Sequence, residues 1–396
     1  MRRPTTHLQA AVGLVLAALL ILGLAACGGG GSTSATTSHA STSAPAGTRP
    51  VSGPLIGAMF DGPVLAGNVS LGGQAALAVS SGAESIRTVV DWSRLQPSKG
   101  GPIQYGDLDR LVATTAGRGL TLLPVVERTP RWDAAVPGNA GSPPRALPPF
   151  AAFLTALVKR YGPDGSFWAA HPSLPRVPIR MWQIWNEPHF TSYWSVQPFT
   201  PGYVQLLGAA HDAIKRADPS AKIVLAGLAD FSWRYLAQIY AVRGASQLFD
   251  IVALHPYTAQ PQGVITIMQR ARAVMNAHGD AGKPILATEI TWPSSEGKAP
   301  PQFGVSTTEA GQAARLAAVV PLLQANRAKL GLMGFYWYTW MGDETPRPHA
   351  YGFDFAGLLK YVSGQVTAKP ALAVFRHWAL KLEGCTRKAS ATRCAG

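Results

Sequence analysis

Cysteine is nearly absent from this 396-residue chain: Cys27, Cys385 and Cys394 are the only three, and none falls in the long middle of the sequence. A disulfide-built scaffold and a thiol nucleophile in that middle are therefore excluded. Acidic side chains are also few, 21 against 35 lysines and arginines, and the formal charge is +14. Such a balance favours anionic surfaces such as lipid headgroups, wall polymers or acidic polysaccharide, beside the plainer reading in which the basic residues form a solvated face. The charge is not gathered into a long basic run, and neither zinc-finger spacing nor an RNA-binding aromatic motif occurs, so no nucleic-acid partner is expected. No Gly-x-Ser-x-Gly elbow is there to expose a serine nucleophile. A glycine-rich phosphate loop after the first apolar run is missing as well, which weakens the case for an open nucleotide-binding sheet.

What is present begins with an export signal. Arg2 and Arg3 precede an apolar run from Ala10 to Ala26 that ends Leu24-Ala25-Ala26-Cys27-Gly28. A basic start, an apolar middle and small residues before a cleavage point describe a signal peptide over residues 1–26. The run alone would also fit a membrane span, which needs about 20 residues. Leu-Ala-Ala-Cys, however, resembles the bacterial lipobox. That resemblance implies a lipidated Cys27 as the mature N-terminus, held at the outer face of the cell membrane, with plain secretion as the alternative. Residues 27–53 are Gly, Ser, Thr, Ala and Pro with almost no large apolar side chain, so they read as a flexible tether. Cys385 and Cys394, in the tail 385–396, can close a short disulfide loop in an oxidising compartment.

Between these ends, residues 54–384 alternate apolar runs with helical patterns. The runs are Leu55 to Phe60, Ser85 to Val90, Leu120 to Val126, the stretch from Ile179, Lys222 to Leu228, Asp250 to Leu254, Pro284 to Thr288 and Gly334 to Tyr338. Helical patterns fall between them, the longest from Thr308 to Lys329, where Pro321 is expected to kink or divide it. Eight strands in alternation with about eight helices predict an α/β fold of the (β/α)8 TIM barrel type, and 47% hydrophobic composition is enough to fill its core.

In such a barrel the reactive groups sit at the C-terminal ends of the strands. Ile179 to His189 reads IRMWQIWNEPH, a bulky strand-like run stopped by Pro188, which leaves Glu187 at a strand's lip. Pro284 to Thr288 delivers Glu289 to another lip. Two carboxyl groups facing one another across a pocket suit glycosidic bond cleavage, which needs one protonated and one ionised. Arg87 and Tyr257 are candidate donors to the ionised one, although Arg87 could simply pair with Asp91. Trp92, Trp132, Trp185, Trp292, Trp337 and Trp340 fall near strand ends, and flat aromatic faces suit sugar rings; Trp132 and Trp337 are the preferred platforms, with core packing as the plainer role. Glu127, Asp343 and Glu344 could also line the cleft, with a solvated-loop role as the plainer reading of each. A divalent-metal site on His255, Glu289, Glu187 and His189 is the competing chemistry, but barrel metallohydrolases usually carry His-x-His on strand one and Leu55 to Asp61 has none, so neither metal nor cofactor is expected.

Asn186-Glu187-Pro188, His255-Pro256-Tyr257 and Thr288-Glu289, in this order and spacing, resemble the clan A retaining glycoside hydrolases, most nearly families 39 and 5, which include β-xylosidase-like and cellulase-like barrels. The resemblance spans nearly the whole barrel. It implies that Glu187 is the acid/base and Glu289 the nucleophile, that Asn186 binds the sugar 2-hydroxyl, and that His255 lines the pocket. It further implies that Tyr257 and Arg87 bond the nucleophile and that Trp337 floors the subsite beside the scissile bond. A β-linked glycan is the implied substrate. A catalytically silent glycan-binding lipoprotein and a transglycosylase on the same barrel are the alternatives.

Overall fold

A computed structural model describes residues 56–383 other than Phe303. The signal peptide, Cys27, the tether and the Cys385–Cys394 pairing lie outside the described residues.

Eight strands form one all-parallel sheet: β1 Ile56–Met59, β2 Ser85–Asp91, β3 Thr121–Glu127, β4 Met181–Ile184, β5 Lys222–Val224, β6 Val252–Leu254, β7 Ile285–Ile290 and β8 Leu332–Trp337. Their order is β5-β4-β3-β2-β1-β8-β7-β6, with β1 paired to both β2 and β8. The two outermost strands meet through parallel bridges Val224 to Ile251 and Leu228 to Leu254, so the sheet closes on itself. The fold is a (β/α)8 barrel. β5 is shorter than its apolar run: the chain beyond Val224 departs from regular pairing and is tied in by those bridges and by the His255 N–H to Leu228 carbonyl bond of 2.8 Å.

Side chains alternate between the barrel axis and the surrounding helices. Leu123, Val224, Ile251, Ala253, Leu286, Met333 and Tyr336 form a small inner cluster, while Ile86, Trp182, Leu254, Ile285 and Phe335 join the large cluster between sheet and helices. Tyr336 reaches over β1 to a 2.8 Å bond with Ser85 on β2, and Gly57 between them leaves the room its ring needs, since a Cβ there would meet the ring at 2.4 Å.

Local chemistry sets the helix boundaries. Ser70 caps Leu71–Ser80 by accepting from the Gly73 N–H, and Thr308 caps Glu309–Leu330 by accepting from Gly311. Leu147–Tyr161 and Pro261–Ala277 carry proline in the first turn, where no intrahelical donor is lost. Of the two outcomes expected at Pro321, a kink or a division, the division does not occur: Glu309–Leu330 is one helix, and Leu316, Val319, Val320 and Leu323 on both sides of the proline are buried in the same cluster. Gly331 ends it in the left-handed region.

The sequence reading did not foresee a small second sheet after β8. It comprises β9 Met341–Asp343, β10 Leu359–Val362 and β11 Gln365–Ala368, the last two an antiparallel hairpin turned by Ser363 and Gly364 at φ of 46° and 93°. Among the described residues no helix is long and apolar enough to cross a membrane.

Candidate active site

The C-terminal strand ends surround an open cavity of about 250 Å³ lined by residues that include Arg87, Asn186, Glu187, Tyr257 and Glu289. Arg87 enters from β2 on the axis-facing parity of Ser85. Past β4 the backbone bends sharply, with Trp185 and Glu187 at φ of 70° and 39°. Such non-glycine left-handed residues cost roughly 1–3 kcal/mol each and persist only where surrounding contacts hold them. Here the Asn186 to Gly227 bridge and the 3.0 Å bond from the Glu187 N–H to the Gly227 carbonyl do so. Gly227 has a second reason to lack a side chain: a Cβ would lie 2.0 Å from Nε2 of His255. On β7, Leu286 faces the axis, so strict alternation would turn Glu289 outward. A register irregularity between Ala287 and Ile290 resets the parity and delivers Glu289 to the cavity.

Two hydrogen-bonded groups, with His255 lying between the two glutamates, gather six of the residues singled out from the sequence. Arg87 donates from Nη1 to Glu289 Oε1 at 2.6 Å and from Nη2 to Asn186 Oδ1 at 2.8 Å. Tyr257 OH donates to Glu289 Oε2 at 2.5 Å. Nδ1 of His255 lies 2.7 Å from Glu187 Oε1, and its Nε2 lies 3.5 Å from Glu289 Oε1. His255 is fully buried behind the two glutamates rather than lining the cavity, a correction to the sequence expectation. Arg87 does not pair with Asp91, whose carboxylate accepts from Ser93 and from the Arg94 N–H. Sequence reasoning missed Gln183, which accepts from Arg87 Nε at 2.9 Å, donates to the Leu225 carbonyl at 3.1 Å, and so fixes the guanidinium plane. A neutral amide inside an apolar strand was its only signal.

The two carboxyls are driven apart in proton affinity. Burial pushes Glu187 above the ordinary carboxylate range, and the negative charge of Glu289 adds to that push, against the lowering bond from His255. Burial would also raise Glu289, but His255 and Arg87, with the hydrogen bonds from Tyr257 and Arg87, outweigh it and hold the group below its usual value. One site thus presents a carboxyl biased toward keeping its proton and one biased toward losing it, with oxygens of the two within 4.8 Å of one another. Glu187, His255 and Glu289 also have the proximity of a metal-ligand triad. An ion placed there would meet the Arg87 guanidinium already on Glu289. His189 stands apart from this triad, tilted against Phe190 and stacked on Tyr235 with ring centroids 4.2 and 4.3 Å away.

The tryptophans are turned away from the cavity. Trp337 is fully buried, donating to the Ala356 carbonyl at 3.1 Å, and Trp132 packs edge-on against Trp92 and donates to the Gln96 carbonyl. Trp337, closed off from solvent, is corrected as a platform, while Trp132 is partly exposed and lies outside the residues that line the cavity. The cause for Trp337 is parity: Tyr336 points to the axis, so its neighbour points out and Tyr338 points in. Phe190, Tyr193, Tyr257, Tyr338, Tyr351 and Phe353 supply the aromatic wall instead. Glu127 is not a solvated loop residue but takes the other of its two sequence readings, being only 2% exposed and on the cavity wall. Glu344 is buried too, 2.5 Å from Lys369, whereas Asp343 pairs with Arg347 near the surface.

Fold and site together define a (β/α)8 barrel with an opposed carboxyl pair at the C-terminal ends of its strands. Solved structures with this architecture agree. The chain is similar to a family 39 glycoside hydrolase from Bacteroides cellulosilyticus WH2, with a TM-score of 0.63, 19% identity, and 85% of this chain and 64% of that one covered. It is similar to a monomeric β-xylosidase from Caulobacter crescentus CB15, with a TM-score of 0.61, 18% identity, and coverage of 82% and 69%. An exo-β-1,4-mannosidase from Opitutaceae bacterium strain TAV5 matches with a TM-score of 0.59, 16% identity, and coverage of 85% and 60%. The chain spans less than two thirds of the family 39 protein and of the mannosidase. At such identities the likeness is one of fold. No protein-family profile and no curated protein matches the sequence.

Proposed function

We propose that the chain is a retaining glycoside hydrolase that cleaves a β-linked glycan by double displacement, displayed outside the cytoplasm on a lipid at Cys27. The observation that carries this reading is the opposed pair itself: two carboxyls with oxygens within 4.8 Å and proton affinities shifted in opposite directions. Retention calls for a separation of about 5–5.5 Å, inversion for about 6.5–9.5 Å to admit a water between the groups. Glu289, ionised and aimed by Arg87 and Tyr257, attacks the anomeric carbon while Glu187 gives its proton to the departing oxygen. Glu187 then takes a proton from water, which attacks the same carbon and releases Glu289. Asn186 spends its Oδ1 on Arg87, so its amide N–H groups are left to donate to a sugar hydroxyl. Proton NMR of the first product released from an activated aryl β-glycoside tests the reading. The β anomer is expected to appear first, and the α anomer first would overturn it.

A further inference from the structure

We propose that Asp61 and Glu127 hold the hydroxyls of the sugar bound in the cavity and decide which sugar is accepted, an inference that rests on the glycosidase reading above. Asp61 follows β1 and Glu127 ends β3, so the two carboxyls flank Arg87 of β2, and both line the cavity. Neither belongs to the opposed pair. Asp61 stands at the start of the short helix Gly62–Leu65 but makes no side-chain cap there; its carboxyl accepts from the Thr339 hydroxyl instead. Glu127 is held on one side only: Oε1 lies 3.4 Å from Arg128 Nε, while Oε2 is buried without a partner.

A buried acceptor left open beside a cavity is unfavourable until a donor arrives, and a site built this way discriminates strongly against a ligand that lacks the donor. Sugar hydroxyls are such donors, and each is also an acceptor. Burial raises both carboxyls to about 7, so near neutral pH each can donate as well as accept. Phe190, Tyr193, Tyr338 and Phe353 also line the cavity and offer ring faces and edges. The cavity therefore presents polar groups for hydroxyls together with aromatic surface for the apolar face of a pyranose.

The test uses the full chain with Asp61→Asn and Glu127→Gln, substitutions that keep shape and remove the charge, plus Asp61→Glu as a control for local collapse. Each is assayed on 4-nitrophenyl β-glycosides that differ by one hydroxyl, inverted or deleted, and for binding of a matching iminosugar by calorimetry. Each charge-removing variant is expected to lose roughly 10- to 100-fold in kcat/KM on the preferred glycoside. The loss should shrink on the congener missing the hydroxyl that the residue holds, so the order of preferred sugars changes. A uniform loss with unchanged order, or none, overturns the proposal and leaves the glycosidase reading standing. If wild type turns over no glycoside, binding decides: weaker iminosugar binding by the variants sustains the proposal while the catalytic reading falls, and unchanged binding overturns the proposal.

Discussion

Arg87–Glu289 and Lys369–Glu344 are both buried ion pairs, 2.6 and 2.5 Å long, yet they serve opposite purposes. Lys369 is closed in on every side, donating also to Ser294 Oγ at 2.9 Å and to the Phe355 carbonyl at 2.8 Å. Burial lowers its proton affinity, and Glu344 works against that shift. Lys298 extends the cluster to Glu309, which also binds Lys360 of β10. The result fastens the small second sheet to the loop after β7, and with it the segment that puts Tyr351 and Phe353 at the cavity. Arg87, in contrast, leaves Glu289 open on one side to the cavity and brings it beside a second carboxyl of opposite proton preference. Buried charge does not by itself mark reactive chemistry. An open side and a split in proton affinity do.

The contrast can be broken at either end. The largest effect is expected from Glu289→Gln, which should lower kcat/KM on an activated aryl glycoside by about 10⁴-fold or more while the melting midpoint stays near wild type. Near-normal turnover would remove Glu289 from the mechanism. Glu187→Ala should lose about 10²–10⁴-fold on substrates with poor leaving groups and much less on activated ones, with azide restoring part of the rate. No azide rescue and an equal loss on both substrate kinds would speak against its role as acid/base. Lys369→Met leaves Glu344 buried with a poorer partner, so urea unfolding should show a loss of about 3–5 kcal/mol, and a loss under about 1 kcal/mol would show that the cluster is not a fastening.

Smaller effects should separate the two halves of the pair. Glu289 is held below the carboxylate range and Glu187 above it, so kcat/KM against pH should be bell-shaped. Activity falls on the acid side as Glu289 takes a proton, and on the basic side as Glu187 loses one; the limbs belong to the coupled pair rather than to either residue. His255 lowers both groups, so His255→Asn should move both limbs to higher pH. Limbs that stay in place would show that the histidine only fills space. Trp337→Phe removes one hydrogen bond outside the cavity and should cost about 1 kcal/mol of stability with KM changed less than about twofold. A large rise in KM would restore it to the substrate wall.

The barrel and the two glutamates were legible in the sequence because polar or aromatic residues cluster after nearly every one of the eight apolar runs, a pattern that a parallel barrel produces directly. What was not legible depended on parity and partners. Trp337 and Tyr338 are neighbours at the end of β8, and only the inward direction of Tyr336 decides which one meets the cavity. Glu289 reaches the axis through an irregularity in β7 that periodicity cannot show. Glu127 and Glu344 read more readily as solvated because an isolated carboxylate usually is; Glu344 is instead buried against Lys369, which only the fold brings near, and Glu127 is buried at the end of β3 beside its chain neighbour Arg128. The hairpin of the second sheet did leave a signal, Ser363-Gly364 between two alternating runs, of the kind that marks a two-residue turn.

The most direct test of the central claim is to trap the intermediate. Treatment with an activated 2-deoxy-2-fluoro β-glycoside, followed by proteolysis and mass spectrometry, should find the sugar attached to the peptide carrying Glu289 through an ester. A protein that turns over the parent glycoside but carries no label, or carries it on Glu187 or elsewhere, would contradict the account.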